Sequence, residues 1–312
     1  MVLEVGCPCT LLLGYARTPA GLVQVGVTLQ HPPTQLFVQP AAALAVTGPR
    51  ADVAYAAAEC FSTSAQIEIE LATPALMGLG SEPLLALSTA RGLAWAAGEP
   101  ASAPMLAAAL HLAPEHALAV AAYAQGGALV VAPPAEPGAF GPPLRRYNLE
   151  HPNRADAWAW VLYLPALPAD SALTLEPERA AALHAAASAL SPATGDVLER
   201  SLWPALERDD LPAFGAALRE LQAANAALLP PLPLDGVTAD VLAVLAASGV
   251  AAWGPALTGH ALFALVRGAP AAVDLRTALL SRLPPGAGRV LLTIAATTGA
   301  RDVEHAQRPM LP

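Results

Sequence analysis

The residues best placed to do chemistry stand around one turn. Gln66-Ile67-Glu68-Ile69-Glu70-Leu71 alternates as a strand does, and Thr73-Pro74-Ala75-Leu76-Met77 follows it. Gly78-Leu79-Gly80-Ser81 then turns the chain into an apolar helical stretch running to about Ala97. The first amides of a helix point outward and its dipole is positive there, so such a turn attracts anions. Glu82 and Pro83 work against that attraction. The carboxylate stands where an anion would sit, and proline has no N–H to donate. The same residues suit an ordinary helix start, with Ser81 as N-cap, Glu82 in the favourable first turn and Pro83 near N1.

Other titratable residues allow two readings each. His116 beside Glu115 reads as an acid–base pair or as a surface pair, and His260 after Gly259 reaches a cleft or fills a core. Trp253 is core, or an indole that stacks on a planar ligand. Arg91 suits a surface or interlobe ion pair, and Asp209-Asp210 a loop between helices. His31, His111, His151, His184 and His305 lack ligand spacing, so no protein-built metal site is expected. Cys7, Cys9 and Cys60 leave one thiol unpaired however they are matched, and Cys7-Pro8-Cys9 is too tightly spaced for zinc. Three ordinary small buried residues are expected.

Composition removes whole classes. All 16 basic residues are arginine, which excludes a lysine Schiff base, a pyridoxal anchor and a Walker lysine. A net charge of -9, with Arg145-Arg146 the densest basic spot, excludes nucleic acid, whose binding needs clustered positive charge. The start Met1-Val2-Leu3-Glu4 lacks the basic opening of a secretory signal, and with free thiols this implies the cytoplasm. The uncharged stretch Val241 to Val266 is interrupted by Gly249, Gly254, Pro255 and Gly259. It reads as a helix, a glycine turn and two buried strands rather than a membrane span.

These residues need elements to hold them. The first fifty residues read as strands (23–30, 35–38 and 44–47), followed by a helix over 51–61. After the strand at 66–71 and its helix come a second helix at 103–112 and a strand hairpin at 117–132 turning on Gly126-Gly127. Proline, glycine and charge concentrate at 133–156, which suggests a boundary and lobes of 1–150 and 151–312. Trp158 to Leu164 reads as a strand, followed by helices near 176–190, 195–208, 211–228 and 237–247. A helix at 271–283 and a strand at 289–295 close an α+β chain in two lobes.

The strand, Pro74 and the Gly78-Leu79-Gly80-Ser81 loop resemble the GHMP superfamily of small-molecule kinases, whose loop cradles nucleotide phosphates. GLGSEPLLALSTARGLAWAAG, AVAAYAQGGALVVAPP (119–134), WAWVLYLPA (158–166), LWPALERDDLPAFGAALRELQ (202–222) and SGVAAWGPALTGHALFALV (248–266) resemble one branch in order, the beta-ribofuranosylaminobenzene 5'-phosphate synthases. The resemblance implies a ribosomal-protein-S5-domain-2-like N-terminal lobe, a ferredoxin-like C-terminal lobe and a ligand between them. It implies a site of Gly78, Leu79, Gly80, Ser81, Glu82, Trp253 and Gly254. It also implies joining of phosphoribosyl pyrophosphate to a para-substituted benzoate, with loss of carbon dioxide and pyrophosphate, towards methanopterin-type carriers.

The polar positions of that pattern differ here. The branch's Arg-Leu-His run is Cys9-Thr10-Leu11-Leu12-Leu13-Gly14, its Arg-Ser-Gly step is Glu115-His116-Ala117, and its Gln-Ser-Ser is Val250-Ala251-Ala252. Three functions stay open: the synthase-like transferase, an ATP-dependent GHMP kinase, and a non-catalytic binding or assembly subunit. The first two would use Mg2+ as counter-ion to the phosphates and no organic cofactor. Partners are small molecules and a second copy or assembly partner, with no membrane.

Overall fold

The computed structural model describes residues 1–151, 153, 156–167, 175–228 and 236–307. Two long antiparallel strands open the chain, β1 (Val2–Thr18) and β2 (Gly21–Pro40). The runs at 23–30 and 35–38, read as separate strands, belong to one strand of 20 residues. β3 (Ala45–Thr47), α1 (Ala51–Ala58), β4 (Ala65–Leu71), α2 (Ser81–Ala96) and α3 (Ala103–Ala109) follow. A 3-10 turn (Pro114–His116) leads into α4 (Ala117–Gln125), then β5 (Ala128–Val131) and β6 (Arg145–Tyr147).

The expected hairpin at 117–132 is therefore corrected to a helix and a strand. Alanine-rich Ala117–Gln125 has one β-branched residue, so helix propensity prevails over the apparent alternation. Gln24 secures the helix start by accepting a hydrogen bond from the Leu118 N–H at 2.7 Å. Gly126 and Gly127, at φ 69° and 92°, end the helix rather than turn a hairpin.

β7 (Trp158–Pro165) begins the second sheet. It is followed by α5 (Leu175–Ala187), α6 (Ala193–Val197), a π-helical turn (Leu198–Leu202), α7 (Trp203–Glu207), α8 (Leu211–Leu228) and α9 (Gly236–Ala247). β8 (Ala252–Pro255), β9 (Leu262–Arg267), α10 (Ala269–Leu280) and β10 (Gly288–Ile294) complete an antiparallel sheet ordered β10-β7-β9-β8. That is the ferredoxin-like arrangement. The expected helix, turn and strand pair over 241–266 are all present, and no described helix is long and apolar enough to cross a membrane.

The last strand, β11 (Arg301–His305), was not read from the sequence. The reading of 151–312 as one lobe places it with the second sheet, but it pairs antiparallel with β1 in the first. Arg91 on α2 pins it through Asp302, and His305 Nε2 meets Glu4 Oε2 at 2.8 Å. Arg91 is thus an ion-pair former within the first sheet's layer. Cys7 and Cys9 are buried as expected, and burial pushes the Cys7 thiol up to about 11. Cys60 departs from the expectation, because it lies exposed in the turn after α1.

One apolar cluster joins both sheets: Leu11, Leu13 and Val25 from the first pack with Trp160 from the second and with Phe214 and Leu221 of α8. Gly14 makes the junction close, since a Cβ there would lie 2.8 Å from Leu221. Beside it the buried Asn225 side chain of α8 pairs with the Tyr15 backbone, accepting from N–H and donating to C=O at 2.9 Å each. Losing a buried partner leaves a desolvated group unpaired. Asn225→Ala is expected to lose about 2–4 kcal/mol of stability, read by urea denaturation. A loss under about 1 kcal/mol would show that the junction does not need this pair.

Candidate functional site

The turn at the end of β4 is wound through left-handed backbone at three alternating positions. Leu76, Gly78 and Gly80 have φ 65°, 72° and 71°. Leucine rarely adopts this region. It is held there because the Leu76 carbonyl accepts the His260 N–H at 2.8 Å and the Met77 carbonyl accepts the Ala261 N–H at 3.3 Å. The segment between β8 and β9 therefore lies directly on the glycine loop. A Cβ on Gly259 would stand 2.0 Å from the Gly78 nitrogen, and one on Gly78 would stand 2.7 Å from the Gly259 nitrogen.

Gly80, rather than Ser81, is the N-cap of α2, so Ser81, Glu82 and Pro83 fill the first helical turn. Gly80 has no room for a side chain, because its Cβ would meet the Thr10 hydroxyl at 2.4 Å. In front of the loop lies a cavity of about 60 Å³. Its walls bring together Gly78, Gly80, Ser81 and Glu82 with Thr10 from β1, Arg50, Glu115 and His116, and Thr258. Pro177 and Ala180 of α5 cover it. That volume holds roughly four or five waters, whereas drug-sized ligands occupy about 300–1,000 Å³.

The expected site residues divide. Gly78, Gly80, Ser81 and Glu82 line this cavity. Leu79 is fully buried and points into the core, offering only its carbonyl to the Thr10 N–H at 3.1 Å. Trp253 and Gly254 line a different cavity, of about 260 Å³, whose other wall is Gln222, Ala223 and Ala226 of α8. They sit on β8, on the far side of the 256–260 segment from the loop. Glu115 and His116, for which a surface pair was one reading, are cavity residues.

Arg50, Gln24 and Thr258 were not found from the sequence. Arg50 is the one arginine among the described lining residues, and it carries φ 56° after Gly48-Pro49. Gln24 sits at a polar position of an alternating strand, which normally signals exposure. Here both faces of β2 are covered, and Gln24 is fully buried. Its Nε2 donates to the Tyr15 hydroxyl and to the Glu115 carbonyl, both at 2.8 Å. This network fixes the cavity's back wall and the position of Glu115.

Burial lowers the His116 pKa from the ordinary imidazole value, with Glu115 opposing. Burial likewise lowers His184, whose ring lies 5.8 Å from that of Tyr15. The cavity thus holds a neutral imidazole, two carboxylates (Glu82 and Glu115) and one guanidinium. That set can exchange protons or hold a cation more readily than it can hold a naked phosphate. Among the described residues no three His, Cys, Asp or Glu side chains cluster as metal ligands.

The class defined by this architecture is the GHMP fold: two α+β lobes with a glycine loop at a helix start and a second glycine turn laid on it. No protein-family model matches the sequence, and no curated protein aligns with it. The structure is similar to mevalonate diphosphate decarboxylase from Staphylococcus aureus, at 14% identity, 97% of this chain, 99% of that one and TM-score 0.65. It is similar to homoserine kinase from Cytophaga hutchinsonii, at 14% identity, 97% of each chain and TM-score 0.60. A 4-(cytidine 5'-diphospho)-2C-methyl-D-erythritol kinase aligns at 19% identity, 94% of this chain, 99% of that one and TM-score 0.59.

The two imidazoles set a pH dependence. The folded state holds them below the ordinary value of about 6.5, so as pH falls the unfolded chain takes up protons first and stability declines. His116→Gln is expected to flatten the fall in melting temperature between about pH 7 and pH 5. An unchanged slope would show that His116 titrates alike in both states.

Proposed function

We propose that the chain is a small-molecule transferase of the beta-ribofuranosylaminobenzene 5'-phosphate synthase type, with phosphoribosyl pyrophosphate as donor and a para-substituted benzoate as acceptor. The observation that carries the reading is convergence. Gly78 and Gly80 to Pro83 of the glycine loop, Ala119 at the start of the 119–134 motif and Thr258 of the third motif, each part of the resemblance, line one cavity, together with Glu115 and His116, which stand where the branch's pattern differs.

In this reading the first amides of α2 and the Arg50 guanidinium face the donor's phosphates. His116, neutral, can take up a proton at an imidazole nitrogen, and Glu115 stabilises the imidazolium that results. Mg2+ fits the donor set, since it binds through one or two carboxylates plus substrate phosphates, and Glu115 would supply such a carboxylate. When bound it neutralises phosphate charge. Admission of a donor of this size requires α5, whose Pro177 and Ala180 cover the cavity, to withdraw from the loop. One structure of this fold is a complex with MVAPP, AMPPCP and magnesium, which supports the choice of Mg2+ and a phosphorylated ligand in this reading.

A specific observation favours a second reading, a non-catalytic binding or assembly subunit. Glu82 and Pro83 occupy the helix start, and the cavity is small. At about 4 Å and an effective dielectric near 20, a carboxylate repels a phosphate charge by roughly 4 kcal/mol before counter-ions act.

Glu82→Ser separates the readings by calorimetry with Mg2+ and either phosphoribosyl pyrophosphate or ATP. The transferase reading expects the pyrophosphate donor to bind at least about tenfold tighter to the variant. Tighter binding of ATP alone would favour a kinase. No binding to either protein would favour the non-catalytic subunit. Weaker binding to the variant would make Glu82 a metal-side ligand.

A further inference from the structure

The acid–base pair of the glycine-loop cavity is gripped from behind by one amide. Gln24 Nε2 donates to the Glu115 carbonyl at 2.8 Å, and its Oε1 accepts the Leu118 N–H at 2.7 Å. One contact precedes His116 in the chain and the other follows it, so a single planar group fixes the backbone on both sides of the imidazole. The remaining Nε2 hydrogen goes to the Tyr15 hydroxyl at 2.8 Å. Gln24 is fully buried and Tyr15 is 1% exposed. Without that hydroxyl the amide would hold an unpaired hydrogen away from water, and its orientation would lose its anchor.

Tyr15 is in turn held by the second lobe. Asn225 of α8 pairs with its backbone N–H and C=O at 2.9 Å each. From α5, the His184 ring lies 5.8 Å from the Tyr15 ring and tilts 50° to it. Pro177, Ala180 and His184 recur at i, i+3 and i+7, so they share one face of α5. The first two cover the cavity and the third rests on Tyr15, so both contacts form when α5 docks. His184 Nδ1 is buried without a hydrogen-bond partner, so its hold on Tyr15 is packing. Burial pushes the Tyr15 phenol well above its ordinary range, with Gln24 opposing and the Glu115 charge adding. Tyr15 therefore keeps its proton and acts through where it stands.

We propose that Tyr15 is a positioning residue for the Glu115–His116 pair: it carries the docking of α5 and α8 to Gln24, and the pair stands in place only while both helices lie on β1. The proposal rests on the transferase reading in taking this cavity as the place where a proton moves. Its test needs no substrate, so the two can fail separately.

Hydrogen exchange at the Leu118 amide and NMR titration of the His116 imidazole, both on the ligand-free full chain, read the placement directly. Tyr15→Phe should speed Leu118 exchange at least about tenfold. It should also move the His116 midpoint up, towards the ordinary imidazole value, as the loosened turn gains solvent. His184→Ala should shift both readouts the same way. The control is Tyr163→Phe, which removes a hydroxyl that donates to the Ala287 carbonyl at 2.9 Å, in the cluster on the other face of the second sheet. It should change neither. The proposal is overturned if Tyr15→Phe or His184→Ala leaves both readouts at the parent's values. It is overturned equally if Tyr163→Phe moves them as far as Tyr15→Phe does, since a general loss of stability would then account for both.

Discussion

Two glycines meeting backbone to backbone hold the site together. Gly259 lies so close to Gly78 that neither position has room for a methyl group. The hydrogen bonds from His260 and Ala261 to the Leu76 and Met77 carbonyls fix that approach. They compensate Leu76 for its left-handed backbone and tie the strand pair of the second sheet to the turn of the first. Since dense interiors pass strain on rather than absorb it, a contact this close sets the spacing of everything around it. The small cavity before the loop and the larger one behind the 256–260 segment both follow from it.

Charge then decides what each cavity suits. Before the loop, a helix start that would attract an anion carries its own carboxylate and lacks one amide. The Gln24 network holds Glu115 and His116 opposite, adding a second carboxylate and an imidazole that burial keeps neutral. Behind the segment, the polarity is reversed, the charged residues among the described lining being two arginines. The chain thus separates an acidic cavity from a basic one by a single turn of backbone. The architecture is the GHMP fold, and its charge is divided between the two cavities.

Most of the architecture was legible because it rests on local pattern. The alternation at 66–71, the glycine turn, the helix near 211–228 and the broken apolar stretch at 241–266 are each local patterns that survive in the fold. The misreadings have physical causes. Ala117–Gln125 is buried on nearly every side, so no period distinguishes helix from strand. β11 is a short, mostly exposed edge strand whose pairing with β1 spans almost the whole chain. At the site, Gly78 and Gly80 were readable as glycines that only a left-handed turn requires. Arg50 and Gln24 were not, because what brings them to the cavity is a distant strand pairing and a helix laid over β2. Trp253 was assigned to the loop by its motif, yet adjacent strand residues face opposite ways: Gly254 faces Gln222 of α8, and the Trp253 indole packs on the cluster of Val241, Leu245 and Ala264 on the other face of the sheet.

The direct test of this account is the stability of Gly259→Ala measured by urea denaturation against Gly6→Ala, whose added methyl meets nothing within 4 Å. Gly259→Ala is expected to lose at least about 3 kcal/mol, because backbone rather than a flexible side chain must move. Gly6→Ala is expected to stay within about 1 kcal/mol of the parent. A Gly259→Ala protein as stable as the Gly6→Ala control would contradict the claim that the two glycine turns are locked together.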